Sequence, residues 1–252
     1  MNAVAPVLAL RAVSHRYPAA AAATLSNIDL AIGAGEIVAV VGASGCGKTT
    51  LVRLLAGLEQ PQAGSIRVDG EPLVGPHPRI GVVFQEPRLL PWLSVAANVG
   101  FGLDGIPRRE REPRVRHALE RVQLGAYATR WPHQLSGGQA QRVAIARALA
   151  VEPELILMDE PFSALDPATR RALQDEVAAL WAGGGGALLL VTHDPDEALV
   201  LADRVIVLAA HPGRIATTLS IDLPRPRCRD DAAFAAARRA LLDALAQAGS
   251  SH

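Results

Sequence analysis

The sequence predicts an α/β fold, on three observations. Glu36–Val41 (EIVAVV) is a short apolar, β-branched run of the kind that forms a buried strand. A glycine-rich loop, Gly42 to Thr49, follows it directly and opens into TTLVRLLAGL, whose apolar residues recur at helical spacing. Two further apolar runs, Leu155–Met158 and Ala187–Val191, read as buried strands, and each is followed by a helix-start signal.

The composition frames this expectation. A chain of 252 residues is long enough to bury a substantial core and is expected to form one unit carrying an insertion. Basic and acidic residues balance at 25 each, so nothing global points to nucleic acid or to an anionic membrane surface. Cys46 and Cys228 share no ligand spacing with each other or with histidine, which argues against a disulfide framework or a zinc site and suits a reducing, cytosolic setting. The N-terminal stretch MNAVAPVLALRAVSHRYP lacks the pattern of a secretory signal, and the apolar runs fall short of the ~20 residues a membrane helix needs, so a soluble protein is expected.

The loop carries the first chemistry. GASGCGKT matches GxxxxGK[ST], the pattern of a loop that cradles the phosphates of a nucleotide. Gly42, Gly45 and Gly47 are expected to take backbone conformations closed to other residues, so that the N–H groups of Gly42 to Thr50, with Ala43, Ser44 and Cys46 between, turn inward on a polyphosphate. The helix beginning near Lys48 adds its positive end. Lys48 is the only lysine among the 25 basic residues, the other 24 being arginine. A slim, flexible ammonium can thread between phosphate oxygens where a planar guanidinium is bulkier and fixed in its fork. Thr49 offers a hydroxyl to Mg²⁺, so the expected ligand is Mg-ATP.

The run Leu155–Met158 ends in Asp159 and Glu160, and acids at the carboxyl end of a core strand lie where open α/β sheets bind ligands. Asp159 is expected in the Mg²⁺ shell and Glu160 as the base that polarises the attacking water. Leu135–Gln139 (LSGGQ) precedes AQRVAIARALA and reads locally as a glycine turn opening a helix, with Ser136 as N-cap.

With these strings in place, the sequence strongly resembles the ATP-binding cassette (ABC) family, from about Leu8 to Leu208. The resemblance implies a three-layer P-loop NTPase core of RecA-like type, with an N-terminal antiparallel β part and a helical subdomain inserted at about 86–150. It implies that Ser136, Gly137, Gly138 and Gln139 face the γ-phosphate of ATP held by a second copy, at a helix N-terminus. Tyr17 resembles the aromatic that stacks on adenine, with a simple edge-strand tyrosine as the alternative. Gln85 resembles the glutamine that touches Mg²⁺ and senses the membrane partner. Ser163–Asp166 (SALD) resembles the loop that crosses the dimer interface, and Asp166 and Pro167 also read as N-cap and first residue of a helix. His193 resembles the histidine that contacts the γ-phosphate. Asp194, Pro195 and Glu197 after it form the pattern of a capping box that would fix the backbone beside it.

The implied partners follow: a homodimer that sandwiches ATP, integral-membrane permease subunits, an extracytoplasmic substrate-binding protein reached indirectly, and no nucleic acid. The expected place is the cytoplasmic face of the cell membrane. EPRLLPWLSVAANVGFGL after Gln85 carries an apolar and aromatic patch, including Leu89, Leu90, Pro91 and Trp92, that is either core or a groove for a partner helix. With HPGRI at His211–Ile215 it resembles the nitrate, sulfonate and taurine importer branch. An ABC ATPase acting on ribosomes or DNA is the competing class, and an exporter cassette is a third. RREREPRVRHALERV reads as a solvated helix face, with arginines and glutamates interleaved. The tail, about 228–248, reads as an alanine-rich amphipathic helix that packs on the core and ends before Gly249.

Overall fold

A computed structural model of the chain describes residues 6–18, 22–183 and 186–250. The ends of the expected 1–252 unit, residues 1–5, 251 and 252, lie outside them. In chain order the first elements are β1 (Leu8–His15), β2 (Leu25–Ile32), β3 (Ile37–Gly42), α1 (Lys48–Leu55), β4 (Ala63–Val68), β5 (Glu71–Pro72) and β6 (Ile80–Val83). Then come α2 (Val95–Val99), α3 (Arg108–Arg121) and α4 (Gly137–Ala150), with short 3₁₀ turns between them. The chain closes with β7 (Leu155–Asp159), α5 (Pro167–Ala182), β8 (Ala187–Thr192), α6 (Pro195–Leu201), β9 (Arg204–Ala209), β10 (Arg214–Ser220) and α7 (Ala232–Ser250).

Two sheets result. The N-terminal one is antiparallel, in the order β2-β1-β4-β5, and the other has six strands in the order β10-β9-β3-β8-β7-β6. Within the six, β6, β7, β8, β3 and β9 run parallel and β10 returns antiparallel. Every residue of β3, β7 and β8 is buried, which is why these strands are continuous apolar runs: both of their faces are covered. The side-chain period of two divides β3 between two cores. Ile37, Ala39 and Val41 face a cluster shared with α4, α5, α6 and α7, while Val38 and Val40 face one shared with α1 and the antiparallel sheet. The central sheet is thus the middle of three layers.

The charged helix α3 buries only Ala118 and Leu119 and pairs Arg108 with Glu112 on its exposed surface, as the interleaved charges anticipate. The tail helix α7 buries Phe234, Leu241 and Ala248. It does not stop before Gly249, as the sequence suggests, but runs on to Ser250. A glycine in a helix costs only about 1 kcal/mol, and the adjacent Ala248 is buried against the core.

Candidate functional site

The glycine loop connects the end of β3 to the start of α1 and bounds a cleft of about 350 Å³ lined by Thr24, Ser44, Gly45, Gly47, Lys48, Thr49, Thr50, Glu160 and His193. Gly45 and Gly47 have φ of 78° and 98°, values that only glycine adopts at little cost, and Gly47 caps α1. Gly42 departs from the expectation. It is required for space, because a Cβ there would lie 2.7 Å from both Cys46 Sγ and the Leu208 carbonyl oxygen. Cys46 points inward and is fully buried, so it contributes packing rather than a face to the cleft, and burial pushes its thiol pKa up although Lys48 pulls it down. Neither Ala43 nor Cys46 lines the cleft. Lys48 is 6% exposed, and its ammonium donates to the Gly42 and Ala43 carbonyls at 2.8 and 3.0 Å. The loop therefore holds its own cation at the mouth of the cleft.

The opposite wall comes from two neighbouring strand ends. Strands β7 and β8 pair in parallel with Asp159 beside Val191, which sets Glu160 and His193 side by side just beyond the sheet. Glu160 Oε2 and His193 Nδ1 are 3.0 Å apart. Glu160 has a φ of 47°, a left-handed conformation that a carboxylate residue seldom adopts. It is anchored there by its amide, which donates to the Val191 carbonyl (2.8 Å), and by its carbonyl, which accepts from Ser163 Oγ (2.9 Å). Arg170 of α5 donates to the carbonyls of Phe162, Ser163 and Leu165, and Asp166 caps α5 through the Ala168 and Thr169 amides, so the Ser163–Asp166 loop is held from both sides.

Asp159 is the last residue of β7 and is 8% exposed. Desolvation raises its pKa, and a hydrogen bond with the Thr49 side chain opposes that rise. Its Oδ1 is buried without a hydrogen-bond partner. An orphaned carboxylate oxygen beside a threonine hydroxyl, next to the glycine loop, is a donor set that suits a hard dication such as Mg²⁺.

Other expected residues lie outside this cleft. Gln85 is exposed, on a segment that α4 grips: Gln141 Nε2 donates to the Phe84 carbonyl (3.1 Å), and Arg147 donates to those of Pro87 and Arg88, both at 2.9 Å. Burial pushes the pKa of Arg147 down. Tyr17 is half-buried; its hydroxyl donates to Glu59 Oε1 (3.1 Å), lies 3.4 Å from Thr50 Oγ1, and its ring meets His15 edge-on at 4.9 Å. Glu59 also receives Arg53 Nε at 2.5 Å and lies 3.2 Å from His15 Nε2. Ser136 caps α4 as expected, and Gln139 completes a capping box by accepting from the Ser136 amide at 3.0 Å. None of Ser136–Gln139 lines the cleft that holds Lys48. Gly138 packs so tightly that a Cβ would lie 2.4 Å from Thr169 Cγ2.

The capping box expected after His193 does not form. Asp194 caps α6 through the Asp196 amide (2.8 Å), but Glu197 turns inward, where it is 3% exposed and accepts from Thr192 Oγ1 (2.5 Å) and Gln174 Nε2 (3.1 Å). A partner buried in the core outcompetes the local backbone amide for this carboxylate. Thr24, Glu59, Gln141, Arg147, Gln174 and Arg170 are site-shaping residues that the sequence did not single out, since each acts across elements distant in the chain.

Comparison with known proteins places this geometry. Residues 25–163 match the model of the ABC transporter family. An aliphatic sulfonates import ATP-binding protein of Burkholderia cenocepacia is 52% identical over 221 residues, covering 88% of this chain and 81% of the relative. One from Xanthomonas axonopodis pv. citri is 54% identical over 226 residues (88% and 90%), and a taurine import ATP-binding protein of Chromobacterium violaceum is 49% identical over 209 residues (82% and 80%). Among solved structures, the ATP-binding cassette MJ0796, a dimer in a post-hydrolysis state with ADP and Pi, superposes with a TM-score of 0.75 at 32% identity over 86% of this chain and all of that one. The family match, the sequence relatives and the superposed cassette agree, and the chain belongs to the ABC transporter family.

Proposed function

We propose that this chain is the ATP-hydrolysing subunit of an importer for small sulfonate-like anions, working at the cytoplasmic face of the membrane as a homodimer bound to separate permease subunits. The observation that carries the dimer is the one-sided cleft: Lys48, Thr49, Glu160 and His193 line it, whereas the α4 N-terminus at Ser136–Gly138 belongs to another surface of the same chain. Two copies set head to tail bring the second copy's Ser136–Gly138 to the open side, and the helix start then offers free amides to the terminal phosphate. In this arrangement the 1–252 chain acts as one nucleotide-binding unit, with the segment 86–150 as its helical subdomain and 228–248 as its tail.

Within that site the amides of the loop residues that line the cleft, Ser44, Gly45 and Gly47 to Thr50, and the Lys48 ammonium hold the phosphates, and Tyr17 offers its ring to the base. Glu160 takes the proton of the attacking water, and His193, bonded to Glu160, steadies the terminal phosphate. Thr49, Asp159 and Gln85 are the residues that would hold Mg²⁺. The ion would supply charge neutralisation of the phosphate oxygens.

The permease surface is a second cleft, of about 700 Å³, whose lining includes Trp92, Leu93, Ala96, Phe101, Val115 and Leu119. The patch after Gln85 is divided between the two alternatives: Leu89 packs against the core, while Trp92 and Phe101 stand 68% and 53% exposed. An apolar groove flanked by exposed aromatics accepts a short helix from a partner. No helix among the described residues is long and apolar enough to cross a membrane, so transport requires such a partner. The sulfonate class rests on the relatives named above.

Co-purification of the tagged chain with a detergent-solubilised membrane protein tests the reading, and association with ribosomes or DNA instead would overturn it. Trp92→Ser with Phe101→Ser is expected to leave nucleotide affinity within about twofold while abolishing that co-purification, since hot-spot aromatics carry on the order of 2 kcal/mol or more each. Retained co-purification would remove the groove from the interface.

A further inference from the structure

A buried polar chain runs from the C-terminal connector to the histidine loop. Arg229, in the 221–231 connector between β10 and α7, donates from Nη2 to Gln174 Oε1 (2.8 Å) and from Nη1 to Asp175 Oδ1 (3.1 Å). Gln174, on α5 and 3% exposed, donates from Nε2 to Glu197 Oε1 (3.1 Å). Thr192 Oγ1 donates to Glu197 Oε2 (2.5 Å) and accepts from the Asp194 amide (3.0 Å). Thr192 and Asp194 are the two neighbours of His193.

The bond directions at the connector end of this chain are forced. A guanidinium can only donate, so Gln174 must present its oxygen to Arg229 and its amide nitrogen to Glu197. A backbone amide can only donate, so the Thr192 hydroxyl accepts from Asp194, and its own hydrogen goes to the Glu197 carboxylate. As a carboxylate, Glu197 accepts from both Gln174 and Thr192. Burial opposes that form and pushes its pKa up, while the Thr192 hydrogen bond pulls it back. The same connector fixes the other end of α6. Arg225 donates to the Leu201 carbonyl (2.5 Å), and Arg227 to those of Leu199 and Ala202, both at 2.6 Å. Helix α6 is thereby held at its C-terminus by the connector and, through Glu197, beside its N-terminus, where His193 emerges.

We infer that Arg229, Gln174 and Glu197 form a positioning relay that sets the backbone of His193 for ATP turnover, so that the connector before α7 bears on the rate at a site it does not touch. The inference rests on the reading of His193 as a phosphate-contacting residue. The relay residues contact no nucleotide; they act by fixing the residues on either side of the histidine. A displacement of about 1 Å at a reacting group costs up to a hundredfold in rate, whereas the phosphate loop that dominates affinity is built on β3 and α1 and is untouched by these bonds.

The test uses the full chain and compares Arg229→Met, Arg229→Lys, Gln174→Leu, Glu197→Ala and His193→Ala, with Arg171→Met as a control that lines the same surface cleft as Arg229 but joins no bond of the relay. Expected results are a fall in kcat of about tenfold or more for Glu197→Ala and Gln174→Leu, a smaller fall for Arg229→Met that Arg229→Lys restores, and KM for ATP within about twofold of the parent in these relay variants. The double variant Arg229→Met with Gln174→Leu should lose no more than Gln174→Leu alone, because both break one chain. Losses that add, or that track a falling Tm and rising KM, would reduce the network to a stabilising role and overturn the relay. Unchanged kcat in Arg229→Met overturns the arm from the connector even if the buried variants fail to fold. Unchanged kcat in His193→Ala is a separate failure, of the histidine's own role, and removes the basis of the relay with it.

Discussion

Replacing Glu160 with glutamine is expected to lower steady-state ATP turnover by roughly 10²–10⁴-fold while ATP still binds. Glutamine has nearly the shape of glutamate, and its carbonyl oxygen can still accept from His193, so the 3.0 Å contact and the surrounding fold survive. What disappears is the ability to take a proton. The backbone at residue 160 is also insensitive to the change, because its left-handed φ is held by the Val191 carbonyl and the Ser163 hydroxyl rather than by the side chain. Steady-state phosphate release and a fluorescent-ATP titration, run on the same preparation, separate the two effects. The variant should also elute as a dimer in ATP, since the step that would open the sandwich is blocked. Turnover at the parent rate would take Glu160 out of the base role.

The second large effect is expected at Lys48. Lys48→Ala should weaken ATP binding by roughly ten- to a hundredfold, the range of a lost charge-assisted hydrogen bond of about 1.5–3 kcal/mol. Part of the loss falls on the loop itself: the Gly42 and Ala43 carbonyls lose the donor that joins them, so Tm should drop as well. Lys48→Arg distinguishes charge from shape. The ammonium is seated on the Gly42 and Ala43 carbonyls at 2.8 and 3.0 Å, and a bulkier planar guanidinium cannot take the same seat. Arginine should therefore rescue little of the affinity, in a chain that uses arginine for every other basic residue. Affinity unchanged in both variants would refute phosphate binding by this loop.

Much of the fold was legible because it is written locally. Strands β3, β7 and β8 are continuous apolar runs, α1 follows its glycine loop, and the caps at Ser136, Asp166 and Asp194 form where their residue types predict. A side chain that bonds its own backbone two or three residues away needs no knowledge of the rest of the molecule. Glu197 shows where this stops. Its spacing from Asp194 suits a capping box, yet the packing of α5 against α6 supplies Gln174, and the carboxylate turns to the core. Glu59 is similar: nothing around it marks a hub, but the end of α1 lies against the end of β1, and His15, Tyr17 and Arg53 converge on it.

By itself the sequence determined the loop that can surround a phosphate, the single lysine it carries, the acids at the end of a buried strand and the family to which these strings belong. Local conformation and residue chemistry are enough for that, since glycine φ, helix starts and strand periodicity act over a few residues. Only the tertiary structure decided that Glu160 and His193 touch and that Asp159 keeps an unpartnered oxygen beside Thr49. Those relations depend on which strands lie next to each other in the six-stranded sheet, and strand order is set by the burial of both sheet faces against helices from every part of the chain.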